Sequence, residues 1–185
     1  MAFHKILAAV DPSPLGQAVF EQALDLAKVN QAELLLFHCL TADLISASPS
    51  FAGELGLAPQ LVSQAYQTQS IRFEEQLRHI QLLLQRYCQI ATQQGVKVES
   101  DYRTVEPGQG LCQAAQRWGA DLIVMGRRGR KGLTEALLGS VSNHVLHHAS
   151  CAVLVIQAEQ SVSELNRSES NQAADQAANQ VGNLK

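Results

Sequence analysis

An α/β domain, with an open, doubly wound, Rossmann-like sheet of five parallel strands, is predicted by three observations. Short strand-length segments alternate with stretches of helical periodicity from residue 3 to residue 157. Four of the five segments are apolar without polar alternation, as strands buried on both faces require. The segments are punctuated by Asp11-Pro12-Ser13-Pro14, Gly95, Gly119 and Gly126, residues that turn a chain or end a helix.

FHKILAAV, Phe3 to Val10, reads as the first strand. Ser13 or Asp11 can cap the helix that follows, with Pro14 in its first turn. That helix runs to Asn30, with Ala18, Val19, Ala23, Leu26 and Ala27 at helical spacing. AELLLFHC, Ala32 to Cys39, is the second strand. Thr41 to Pro59 is rich in Ser, Gly and Pro and is expected to be a long irregular connection. Leu61 to Gln94 reads as a long helix stopped by Gly95. VKVESDYRTV, Val96 to Val105, alternates with more polar residues and belongs at a sheet edge. Glu106-Pro107 opens a short helix that ends at Trp118. DLIVMG, Asp121 to Gly126, is the fourth strand. A last helix from Ser140 to His148 leads to the fifth strand, CAVLVIQ, Cys151 to Gln157.

Right-handed crossovers leave few topologies for this pattern, and strand order 3-2-1-4-5 is expected. The order reverses between the first and fourth strands, where open α/β sheets bind ligands beyond the strand carboxyl ends. Residues 1–157 therefore form one domain. Residues 158–185, rich in Gln, Asn, Ser, Ala and Asp, form a polar tail expected to be disordered or weakly helical.

Composition narrows the function. With 46% hydrophobic and 17% charged residues, the chain can bury a sizeable core. A net charge of −3 argues against a chain-wide nucleic-acid or membrane-surface footprint. No apolar run approaches the roughly 20 residues of a membrane span, and the N-terminus does not read as a signal peptide. Cys39, Cys88, Cys112 and Cys151 form no CxxC pair and read as core residues of a cytoplasmic protein.

The stretch DLIVMGRRGRKGLTEALLGSVSNHVL, Asp121 to Leu146, carries the most chemistry. Its glycines let backbone N–H groups approach an oxyanion. Gly139-Ser140 falls at a helix N-terminus, where unpaired N–H groups and the helix dipole favour an anion. Arg127, Arg128, Arg130 and Lys131 lie within the loop, and one or two can pair with phosphate oxygens. No G-K-[ST] is present, so this is not a Walker A loop, and no GxGxxG follows the first strand. A lone pair, Gly126 and Gly129, would equally suit a tight strand-to-helix turn. Asp11, at the carboxyl end of the central strand, can accept a ribose hydroxyl or ligate a metal, or cap the first helix, and these roles are compatible.

KILAAVDPS, LLLFHC, ADLIVMGRRGRKGLTEALLGSVSNHVLHHASC and AVLVI resemble the universal stress protein family, in its ATP-binding branch, over nearly all of residues 1–157. The G-x2-G-x9-G-[ST] spacing that marks nucleotide binding there is complete here at Gly126, Gly129, Gly139 and Ser140. The resemblance implies a stress-response or regulatory protein that holds ATP or AMP, with Mg2+ as accompanying ion. Gly126, Gly129, Gly139, Ser140 and the backbone of Val141 would hold ribose and phosphates. Asp11 would face the ribose or the metal. Cys39 matches the position whose backbone meets adenine, with cysteine replacing the usual valine, and Met125 would line the same pocket. Homodimers pairing through the last strand are also implied, and Val153 to Ile156 suits that role.

His144, His147, His148 and Cys151 raise a metal reading, since three of them share one helix face. Packing of that helix on the sheet competes with it, and the resembled family has His-rich helix ends without a metal role. His38, ending an apolar strand, reads as a hydrogen-bonded core or pocket-rim histidine. No catalytic constellation emerges. A slow ATPase would need Asp11 as its base. An interaction or scaffold protein with no nucleotide function is the competing reading. The glycines recognise phosphate more than base, so the sequence leaves ATP, AMP and a cyclic dinucleotide open.

Overall fold

A computed structural model describes residues 2–40, 59–127 and 139–157; the predicted irregular connection 41–58, loop residues 128–138 and the tail 158–185 lie outside these. Five strands, Lys5–Ala9 (β1), Glu33–Leu40 (β2), Val98–Thr104 (β3), Leu122–Gly126 (β4) and Ala152–Ile156 (β5), form one sheet. Its order is β3-β2-β1-β4-β5, with every pair parallel, as the alternation of apolar runs and helices predicts. The polar third strand lies at one edge and β5 at the other.

Side-chain alternation along β1 divides the core in two. Ile6, Ala8 and Val10 join the layer containing helices Pro14–Asn30 (α1) and Pro59–Gln93 (α2). Leu7 and Ala9 join the opposite layer, with helices Pro107–Trp118 (α3) and Ser140–His148 (α4). Between α1 and α2, the Phe20 and Tyr87 rings stack with centroids 4.0 Å apart. No helix among the described residues is long and apolar enough to cross a membrane.

Element ends differ from the predicted ones for identifiable reasons. Phe3 and Val10 are apolar because they pack on the core, yet they lie outside the β1 ladder. Val96 gives its N–H to the Ala91 carbonyl at 3.0 Å, so it closes α2 rather than opening β3. Gly95, at φ +79°, provides the predicted helix stop. Pro59, expected in the irregular connection, instead begins α2, a position that suits proline because its missing N–H is not needed there.

Candidate functional site

Connections leaving β1 and β4 turn to opposite faces, and in open α/β sheets it is beyond the carboxyl ends of two such strands that the ligand crevice lies. Val10 is still held by β2: its N–H donates to Phe37 O at 3.0 Å, and its carbonyl meets His38 Nδ1 at 2.7 Å. His38 is buried, as its reading as a hydrogen-bonded core histidine anticipates. Half-buried Asp11 then turns the chain into α1. Its Oδ1 accepts the Ser13 N–H at 3.0 Å and also the Ser13 hydroxyl, while Ser13 Oγ accepts the Gly16 N–H at 3.0 Å. Ser13 is therefore the N-cap, and Asp11 braces it. The turn is tight: a Cβ on Gly16 would lie 2.2 Å from the Asp11 carbonyl oxygen.

Opposite Asp11, β4 ends at Gly126. A Cβ there would lie 2.7 Å from Leu15 Cδ2, so the first turn of α1 rests directly on this glycine. Arg127 follows and donates its N–H to Ile156 O at 2.7 Å, which ties the start of the loop to β5. The chain returns beside the point it left. Gly139 N–H lies 3.4 Å from Arg127 O, and the Ser142 hydroxyl lies 3.0 Å from the same oxygen. Ser142 also lies 3.2 Å from Gly139 O and is only 1% exposed. Gly139 is the N-cap of α4 but has no side chain to cap the first turn. Ser140 is exposed there and Val141 half-buried.

Cys39 and Met125 face the α3–α4 layer. Met125, expected to line the pocket, has a buried side chain packed in that layer. The Cys39 thiol lies 3.7 Å from Pro107 O. Burial, and then the charge of Glu106, push it up to about 12, which leaves it protonated and unreactive near neutral pH. Glu106 is the N-cap of α3, accepting the N–H groups of Gly108 at 3.2 Å and Gln109 at 2.8 Å. Burial likewise raises the Cys112 and Cys151 thiols.

Among the predicted site residues, the fold brings Gly126, Arg127, Gly139, Ser140 and Val141 to one side of the crevice, with Asp11 at the end of the adjacent strand. Cys39 lies one strand further on, and Arg128 and Gly129 lie outside the described residues. Sequence reasoning missed Leu15 and Gly16, whose fit depends on how α1 docks, and also the bonding role of Ser142. A small polar residue on the buried face of a short helix was its only signal. The His144 and His148 rings stack 4.2 Å apart, and His148 Nδ1 meets His144 O at 2.8 Å. Among the described residues, no group of three or more His, Cys, Asp or Glu side chains could hold a metal.

A doubly wound sheet with a glycine loop at its strand-order reversal is a fold widely used for nucleotides. The profile of the universal stress protein family matches residues 2–157, and the chain belongs to that family. Universal stress protein Sll1388 of Synechocystis sp. is 39% identical over 160 residues, covering 85% of this chain and 99% of that protein. Universal stress protein YxiE of Bacillus subtilis is 32% identical over 155 residues, covering 84% and 99%. Among solved structures, UspA from Lactobacillus plantarum shares the fold at a TM-score of 0.66 and 23% identity, over 84% of this chain and 99% of that one. A universal stress protein in complex with cAMP (TM-score 0.55, 19% identity, 85% and 98% covered) shares the fold too. So does the Archaeoglobus fulgidus protein with dAMP (0.52, 21%, 84% and 99%). The Arabidopsis thaliana protein with AMP bound does as well (0.52, 24%, 84% and 92%).

Proposed function

We propose that the crevice between β1 and β4 binds an adenine nucleotide, ATP or AMP, and that the protein acts as a nucleotide-responsive regulatory module. The observation that carries this reading is the closure of the glycine pattern in space. Gly139, at the N-terminus of α4, lies against Arg127, the residue after Gly126. Backbone N–H groups at the start of α4 then face the same crevice as the end of β4, an arrangement suited to an anion. In this reading Gly126, Gly139, Ser140 and Val141, with Gly129, hold ribose and phosphates. Arg127 and Arg128 add positive charge, the backbones of Cys39 and Met125 border the base, and Asp11 meets the ribose or a phosphate-bound Mg2+. Solved family members holding cAMP, dAMP and AMP support the choice of an adenine nucleotide. The proposal includes no hydrolysis, because Asp11, the one candidate base, is assigned to contact the ligand.

Thermal unfolding with and without Mg·ATP tests it. Ligand at about 100 times its Kd adds roughly 2.7 kcal/mol, or roughly 5–10 °C in Tm for a domain of this size. Ser140→Ala should reduce that shift without lowering the ligand-free Tm. Gly126→Ala is a poor probe, because the contact with Leu15 would destabilise the fold by itself. No shift with millimolar ATP, AMP or a cyclic dinucleotide would overturn the proposal.

A homodimer through β5 belongs to the same proposal. That strand is one of the two sheet edges and Leu154 is 36% exposed on it. Sedimentation at micromolar concentration should give twice the chain mass; a monomer would remove this part.

A further inference from the structure

Ser142 presents a chemical puzzle: a hydroxyl at a site only 1% exposed, on a helix face that otherwise buries Val145. A buried hydroxyl needs a partner, and leaving one unsatisfied is costly. A serine inside a helix would ordinarily turn back on the carbonyl three or four residues before it. Gly139 O is available for that at 3.2 Å, but it already accepts the Asn143 N–H at 2.9 Å. The shorter contact, 3.0 Å, is to Arg127 O, across the base of the glycine loop. The only other group on that oxygen among the described residues is Gly139 N–H, at a long 3.4 Å. Arg127 is itself anchored to β5 by its 2.7 Å bond to Ile156 O.

We propose that Ser142 is a positioning residue for the phosphate end of the nucleotide site. Its hydroxyl clamps the N-terminus of α4 to the end of β4, so that the N–H groups of Ser140 and Val141, beyond the Gly139 N–H that faces Arg127 O, meet one anion together. The proposal rests on the nucleotide reading above. A hydroxyl has a single proton to donate, so the bond to Arg127 O and the turn back to Gly139 O exclude one another. Only the first fixes the spacing across the loop base. A serine that served stability alone would affect every ligand of the site equally. A positioning serine affects ligands according to their phosphate.

The test measures the Kd of Mg·ATP, AMP and adenosine for the full chain, Ser142→Ala and Ser142→Thr. Ligand-free hydrogen exchange of the 139–143 amides is followed alongside. Ser142→Ala should weaken Mg·ATP about tenfold, as expected from losing one buried hydrogen bond, and leave adenosine within about twofold. Ser142→Thr, which keeps the hydroxyl, should recover most of the loss. Exchange at Gly139 should speed up in the alanine variant only. If Ser142→Ala does not fold, Ser142→Cys, with its weak donor, takes its place with the same expectation. Equal losses for ATP and adenosine, or unchanged ATP affinity, would overturn the role of Ser142 while leaving the site. Failure of the unmodified protein to bind any of the three would overturn the nucleotide reading itself, and the positioning role with it.

Discussion

Two glycines beside the crevice are small for different reasons. At Gly126 an added Cβ would meet the end of a side chain, Leu15 Cδ2, at 2.7 Å; at Gly16 it would meet backbone, the Asp11 carbonyl oxygen, at 2.2 Å. Leu15 can change rotamer, whereas the Asp11 backbone is held by β1 and the Ser13 cap. Gly126→Ala should therefore cost about 1–3 kcal/mol, as overpacking does. Leu15→Ala in the same chain should remove much of that cost, giving a non-additive cycle in urea unfolding. Cys39 supplies a pH prediction. Its folded thiol is raised from 9.0 to about 12, so the stability linked to its protonated form is complete below about pH 9 and is lost as pH rises from there towards 12. Unfolding followed over pH 8 to 11 should show an alkaline decline that is shallower in Cys39→Ala. At this scale the sequence displayed the glycine pattern but not its causes. Packing against Leu15 is one cause of the missing side chain at Gly126. Only the docking of α1 on β4 reveals that, because residues 15 and 126 have no relation along the chain.

Helix α1 shows how an element can be read nearly to its ends. Asp-Pro-Ser-Pro carries the cap and the first-turn proline where the sequence places them, and the structure gives the cap to Ser13 with Asp11 as its brace, a division the sequence left open. Ser13→Ala removes the acceptor for the Gly16 N–H and also releases Asp11 Oδ1. A loss of about 1 kcal/mol, or roughly 2–4 °C in Tm, is expected in thermal unfolding. Strand ends were less legible. Apolar residues continue past the ladder wherever a helix covers them, so hydrophobicity marks burial rather than pairing. Helix α3 was clear at both ends, with Glu106 capping its start and Gly119 at φ +74° ending it. At Val96 the boundary shifted because backbone hydrogen bonding rather than side-chain pattern sets the limit.

The strand order was predictable for the whole molecule because parallel strands joined by helices allow few arrangements. It draws on contacts between distant parts of the chain. Asp121 accepts the His4 N–H at 2.8 Å and the Lys5 N–H at 3.2 Å, joining β4 to β1 at the far end of the sheet from the crevice. Asp121→Ala would leave those amides without the carboxylate and should cost about 1–3 kcal/mol in denaturant unfolding with an unchanged m-value. Lys5 and Asp121 are 116 positions apart. A ribosome adding roughly 5–20 residues per second therefore makes β1 roughly 6–25 s before the strand that must lie beside it. Through that interval the middle of the future sheet has β2 on one flank and an apolar, unpaired flank on the other. The nascent protein is thus most prone to wrong associations while its central strand is still half-partnered, and synthesis of β4 ends that exposure.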